Sequence, residues 1–98
     1  MKKDIHYILN ILREVTPFIK DNFDVDSIEV FGSFIKNKQS KKSDVDILVT
    51  FIKTPSLLKF IELENYLSDK IGIKVDLVMK NSLKPRLKHS ILHNSIPV

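Results

Sequence analysis

Apolar residues near the start of the chain fall at Ile5, Ile8, Leu9, Leu12 and Val15. That spacing predicts an amphipathic helix, with Asp4 as its N-cap. At Thr16-Pro17 the pattern predicts a break, with Thr16 capping and Pro17 opening a second short helix through about residue 23. Alternation then takes over. Residues 27–31, Ser-Ile-Glu-Val-Phe, read as a strand that runs straight into Gly32-Ser33. Residues 36–43 are polar and basic and read as a loop. A second strand follows over residues 45–51, begun by Asp44. Thr54-Pro55 opens a helix to about residue 70, with apolar positions at Leu57, Leu58, Ile61, Leu63 and Leu67, and Gly72 supplies its stop. Residues 74–79 read as a third strand, residues 85 to about 93 as a last helix, and Ile96-Pro97-Val98 as a short extended tail.

This order predicts an α/β (α+β) fold: a small mixed three-stranded sheet with helices packed on it, in a single domain over residues 1–98. Leu57, Leu58, Phe60 and Ile61 are apolar nearly all round one helical turn. Core burial is the expected explanation, and a dimer or partner interface is the alternative.

Composition narrows the chemistry. There is no cysteine, so disulfides, thiolate zinc sites and cysteine nucleophiles are excluded. A metal would sit on oxygen or imidazole, and oxygen favours magnesium or manganese. The net charge is +4, with fourteen lysines and two arginines, which suits an anionic ligand, either a nucleotide or a nucleic acid, or else a lysine-rich solvated surface. No apolar run is long enough to span a bilayer. Asp4, His6, Asn10 and Arg13 interrupt what would otherwise resemble a signal peptide, so a cytoplasmic location is expected.

The candidate chemistry lies in three acids. Asp44 and Asp46 at i and i+2 point the same way from a strand, with Val45 and Ile47 turned to the core. Asp76 interrupts the apolar run Ile73-Lys74-Val75-Asp76-Leu77-Val78. An unpaired buried aspartate is expensive, so Asp76 either stands in solvent at a strand end or has a partner, and a metal shared with Asp44 and Asp46 is a sufficient one. Two ions about 4 Å apart would stabilise both oxygens of an in-line phosphoryl displacement. Gly32 lets the backbone turn and approach an anion, and Ser33 can donate its hydroxyl and backbone N–H to a phosphate. No P-loop or dinucleotide fingerprint is present.

Other features weigh less. Lys36, Lys38, Lys41 and Lys42 form either a solvated loop or an attractor for a triphosphate or RNA-like anions. Phe34 is the lone aromatic among them, so nucleic acid is not expected as a direct ligand. His89 and His93 stand at i, i+4 but lack a third ligand and a helical glutamate, so zinc is not expected. Tyr7 and Tyr66 are expected to pack on helix faces rather than to accept a modification.

At residues 30–49 the chain resembles the minimal nucleotidyltransferase family of the DNA polymerase β-like superfamily: Val-Phe-Gly-Ser-Phe, ten residues after Gly-Ser, then Ser-Asp-Val-Asp-Ile-Leu-Val. The likeness extends over nearly the whole chain, through the Pro17 leader, the Val-Asp-Leu-Val segment and the Lys-Pro-x-Leu tail. It implies a nucleotidyltransferase fold. It implies that Gly32, Ser33 and Lys36 bind the nucleotide and that Asp44 and Asp46 bind two Mg²⁺ ions. Asp76 would complete the metal site and help deprotonate the attacking hydroxyl, with ATP as donor.

Many members read Gly-Ser-x-Ala-Arg-Gly here, whereas this chain reads Gly32-Ser33-Phe34-Ile35-Lys36-Asn37. Lys36 keeps the charge without the planar fork, and Asn37 tolerates a left-handed backbone. The chain leaves little room for an acceptor-binding domain, so a partner is expected to supply the acceptor. The resemblance implies an antitoxin that transfers AMP to a tyrosine of a HEPN ribonuclease toxin, within a homo- or hetero-oligomer. The alternatives are an antitoxin acting by contact alone, or a nucleotidyltransferase acting on a small molecule or RNA end with a partner subunit.

Overall fold

The computed structural model describes residues 4–32 and 44–98. Helix α1 (Ile5–Phe23) buries Ile8, Leu9, Leu12, Val15 and Ile19 along one stripe. Asp4 caps it as expected, its carboxylate accepting the Tyr7 N–H at 3.1 Å. The expected break at Thr16-Pro17 does not occur: Pro17 lies inside the helix, on its exposed side. A proline removes one helical hydrogen bond, here the one to the Arg13 carbonyl. Arg13 is exposed, so water can take the place of the lost donor. The Thr16 hydroxyl donates back to the Leu12 carbonyl at 2.6 Å instead of capping a new helix. Burial of Ile19 in line with Leu12 and Val15 outweighs the local penalty. Asp24, at φ 56°, ends the helix.

The strands are β1 (Val25–Phe31), β2 (Val45–Phe51), β3 (Val75–Met79) and β4 (Ile96–Pro97). Their order is β3-β2-β1-β4. Strand β1 runs antiparallel to β2 and β4, and β2 runs parallel to β3. The sheet is thus mixed, as expected, with a fourth strand where the tail pairs Ile96 with Val30 and Pro97 with Glu29. A two-residue strand without strong alternation carries no pattern of its own; the free edge of β1 recruits it.

Helix α2 (Leu57–Ile71) returns the chain from β2 to β3. Its cap is Ser56, whose hydroxyl accepts the Lys59 N–H at 3.2 Å, rather than Thr54. Gly72 closes it at φ 79°. Leu63, Leu67 and Ile71 face the sheet and join one core with α1 and with Ile28, Val30, Val45, Ile47, Val49, Val75 and Leu77. The expected burial of Leu57, Leu58 and Ile61 fails: they are 74%, 75% and 41% exposed. At 100° per residue Leu58 and Ile61 lie on the far side of the helix from the Leu63 stripe, and Leu57 flanks that stripe in the first turn. Phe60 does turn inward, to 6.2 Å from the Phe51 ring. The tyrosines pack as expected, Tyr7 donating to the Ile71 carbonyl at 2.9 Å and Tyr66 stacking on Phe18 at 4.9 Å.

A single-turn 3-10 helix (Lys80–Ser82) leads to α3 (Pro85–His93), opened by Pro85 as expected. Among the described residues no helix is long and apolar enough to cross a membrane. Pro17→Ala restores the missing helical bond, and is expected to raise the unfolding free energy by about 1–3 kcal/mol. Urea unfolding checks this; an unchanged midpoint would show that the proline carries no penalty here.

Candidate active site

Three element ends meet at one end of the sheet. Strand β1 arrives there at Phe31, while β2 and β3 begin there. The parallel register sets Val45 opposite Val75, Asp46 opposite Asp76 and Ile47 opposite Leu77. Val45, Ile47, Val75 and Leu77 are buried against the helices. Side chains alternate along a strand, so Asp44, Asp46 and Asp76 all turn to the opposite face. Adjacent strands lie about 4.8 Å apart, so the Asp46 and Asp76 backbones are immediate neighbours. Asp44 lies two residues before Asp46, in weak contact with Lys74 at 4.0 Å between exposed side chains.

This crowding has an electrostatic signature. Partial burial pushes the Asp46 carboxyl above the usual carboxylate range, and the charges of Asp76 and then Asp44 push it further. Phe31 is the cross-strand partner of Asp46, which brings the next residue, Gly32, against the same carboxylate. Gly32 has φ 84°, and a β-carbon there would lie 2.9 Å from the Asp46 carboxyl carbon and collide with its Oδ2. The close approach to an anion expected of Gly32 is therefore an approach to Asp46 itself. Ser33, Lys36 and the other residues of the 33–43 segment, with Phe34, Asn37 and the loop lysines, lie outside the described residues.

Among the described residues no three acidic or histidine side chains stand close enough, as they lie, to grip an ion. The donor set nevertheless fits a hard divalent cation. It is all carboxylate, it shares one face, and the charges of Asp76 and Asp44 add to burial in raising the proton affinity of Asp46, a repulsion that a cation relieves. Gly32 keeps open the space into which the Asp46 carboxyl reaches.

A cavity of about 80 Å³ adjoins this end of the sheet, between Phe31-Gly32 and Ser90, Ile91 and Asn94. A larger one, about 260 Å³, lies toward the start of β1 against Lys20, Ser27, Glu29 and Lys80 and holds none of the three aspartates. Ser90 and Asn94 had no signal in the sequence, because α3 reaches Gly32 only through the tertiary fold. Glu29 is similar: it pairs with Lys80 at 3.1 Å and accepts from the Ser95 hydroxyl at 3.1 Å.

Residues 13–98 match the family model described as Polymerase beta, Nucleotidyltransferase. A protein of Methanocaldococcus jannaschii, provisionally named a protein adenylyltransferase, is 52% identical over 98% of this chain and 99% of its own length. The protein adenylyltransferase MntA of Thermococcus cleftensis is 49% identical over 82% of this chain and 81% of its own. A solved structure of a toxin–antitoxin with AMP-PNP superposes with a TM-score of 0.68 at 25% identity, covering 99% of this chain and 72% of that one.

Gly32→Ala is expected to lose about 1–2 kcal/mol of stability from the left-handed backbone alone and to displace the Asp46 carboxyl as well; urea unfolding measures the first effect. For Asp46 the sign is set by its raised folded pKa. Its contribution favours the metal-free fold at low pH and is lost as pH rises through the raised value. Asp46→Asn is therefore expected to raise the melting temperature in chelator at about pH 7, with the gain vanishing at about pH 3. A melting difference independent of pH would contradict this electrostatic account.

Proposed function

The chain belongs to the Polymerase beta nucleotidyltransferase family, and on that premise we propose that it transfers AMP from ATP to a tyrosine hydroxyl of a HEPN-type toxin, acting as its antitoxin. The observation that carries this reading is the register of β2 on β3. It sets Asp76 beside Asp46, whose carboxylate lies against Gly32, with Asp44 two residues away on the same face. Protein adenylyltransferases at 52% and 49% identity support AMP as the transferred group. The toxin–antitoxin structure with AMP-PNP supports a toxin as the partner and ATP as the donor.

In this reading Asp44 and Asp46 hold two Mg²⁺ ions and Asp76 completes the set. When bound, the ions neutralise charge on the triphosphate and on the attacking and leaving oxygens. Asp76, on the exposed side of its strand, receives the proton of the acceptor hydroxyl. The tyrosine oxygen bonds to the α-phosphorus, the bond from that phosphorus to the α–β bridging oxygen breaks, and pyrophosphate leaves with the electron pair. Gly32 and Ser33, with the charge of Lys36, are assigned to the triphosphate.

A second reading, neutralisation by contact alone, draws on the exposed Leu57, Leu58 and Ile61 stripe, which offers apolar area to a partner. Incubation with the cognate toxin, ATP and Mg²⁺ separates the two. The toxin is expected to gain mass in whole AMP units. Asp44→Asn with Asp46→Asn is expected to slow transfer by on the order of 1,000-fold or more. Neutralisation with no mass gain would leave contact as the mechanism.

A further inference from the structure

Strand β3 is five residues long and lies at the edge of the sheet. One side of it pairs with β2; the other would present unpaired N–H groups to solvent. Helix α2 closes that side with two side chains one turn apart. The Ser68 hydroxyl accepts the Val75 N–H at 2.9 Å, and Glu64 Oε2 accepts the Leu77 N–H at 2.9 Å. The same Ser68 hydroxyl donates to the Glu64 carbonyl at 2.9 Å, so both its donor and an acceptor lone pair are engaged. Val75 and Leu77 are the residues on either side of Asp76.

We propose that Glu64 and Ser68 are positioning residues for Asp76, holding its backbone from the outer edge while β2 holds it from the inner one. The inference rests on Asp76 being part of the metal set. A one-residue slip of β3 would turn Asp76 into the core and Val75 and Leu77 to solvent. Burial of Val75 and Leu77 opposes a full slip. The two N–H anchors act on the finer scale, fixing where the Asp76 carboxyl stands relative to Asp46. Glu64 donates nothing, and its contact with a backbone N–H is charge-assisted, among the stronger anchors a side chain provides. Neither residue touches the reacting atoms; both act through Asp76.

The test uses the full chain with Mn²⁺ titrated by electron paramagnetic resonance in the presence of a non-hydrolysable ATP analogue, alongside melting temperature. Glu64→Ala is expected to weaken Mn²⁺ binding by on the order of 10-fold. Glu64→Gln keeps a carbonyl oxygen for the Leu77 N–H and is expected to recover most of that loss. Ser68→Ala is expected to weaken Mn²⁺ binding in the same direction, and it decides the matter if Glu64→Ala does not fold. A lowered melting temperature with unchanged Mn²⁺ binding in both alanine variants would overturn the inference. So would equal losses in Glu64→Gln and Glu64→Ala, since charge rather than the hydrogen bond would then be responsible. Asp76→Asn separates the layers. If it leaves Mn²⁺ binding intact, the metal-site reading fails and this inference with it. If it weakens binding while Glu64→Ala and Ser68→Ala do not, the positioning inference alone fails.

Discussion

The parallel pairing of β2 with β3 is the constraint on which the rest depends. It converts two acids that are neighbours in sequence and one that lies thirty residues beyond Asp46 into a single charged face. Parallel strands cannot be joined by a tight turn. Helix α2 must therefore cross from the end of β2 to the start of β3, and its Leu63, Leu67 and Ile71 stripe supplies the core that makes the crossover stable. Core and site share one alternation. Each residue of the Val45–Ile47 and Val75–Leu77 pairs that turns inward obliges its neighbour to turn outward.

That arrangement stores an unfavourable interaction. Partial burial of Asp46, and the nearness of Asp76 and Asp44, raise its proton affinity, a state the fold tolerates because the hydrophobic core on the opposite face holds the strands in place. Gly32 adds to the constraint from a third strand, since any side chain there would displace the Asp46 carboxyl. Such repulsion, held in place by packing, is of the kind a bound cation would relieve.

The sheet edges are managed differently on the two sides. On the β1 side the C-terminal residues add β4 and bring Ser95 to Glu29. On the β3 side Ser68 and Glu64 satisfy the outer N–H groups. The first joins residues 66 apart in sequence and the second residues 7 and 13 apart, and both act close to the strands that carry the candidate site. The exposed Leu58 and Ile61 lie on the side of α2 turned away from the core, with exposed Leu57 adjoining them, so the helix has one apolar face committed to folding and a second that the described fold leaves uncovered.

Local pattern was enough for much of this. The amphipathic stripe of α1, the strand over residues 45–51, the stop at Gly72 and the span of α3 were all legible, because each depends on periodicity or on one residue's backbone preference. The aspartate pair was legible for the same reason: strand geometry alone puts i and i+2 on one face. What could not be read locally was whatever a distant contact decided. Pro17 sits within an unbroken helix because Ile19 is buried against the sheet. Leu57, Leu58 and Ile61 are exposed because the core takes only one stripe of α2. The tail becomes β4 because β1 has a free edge. The sequence by itself determined which side chains are the candidates for the chemistry. Only the tertiary structure decided that Asp76 stands opposite Asp46, since strand register is set by burial of the whole apolar face and by the anchors on its edge, and neither is a property of the residues at the site.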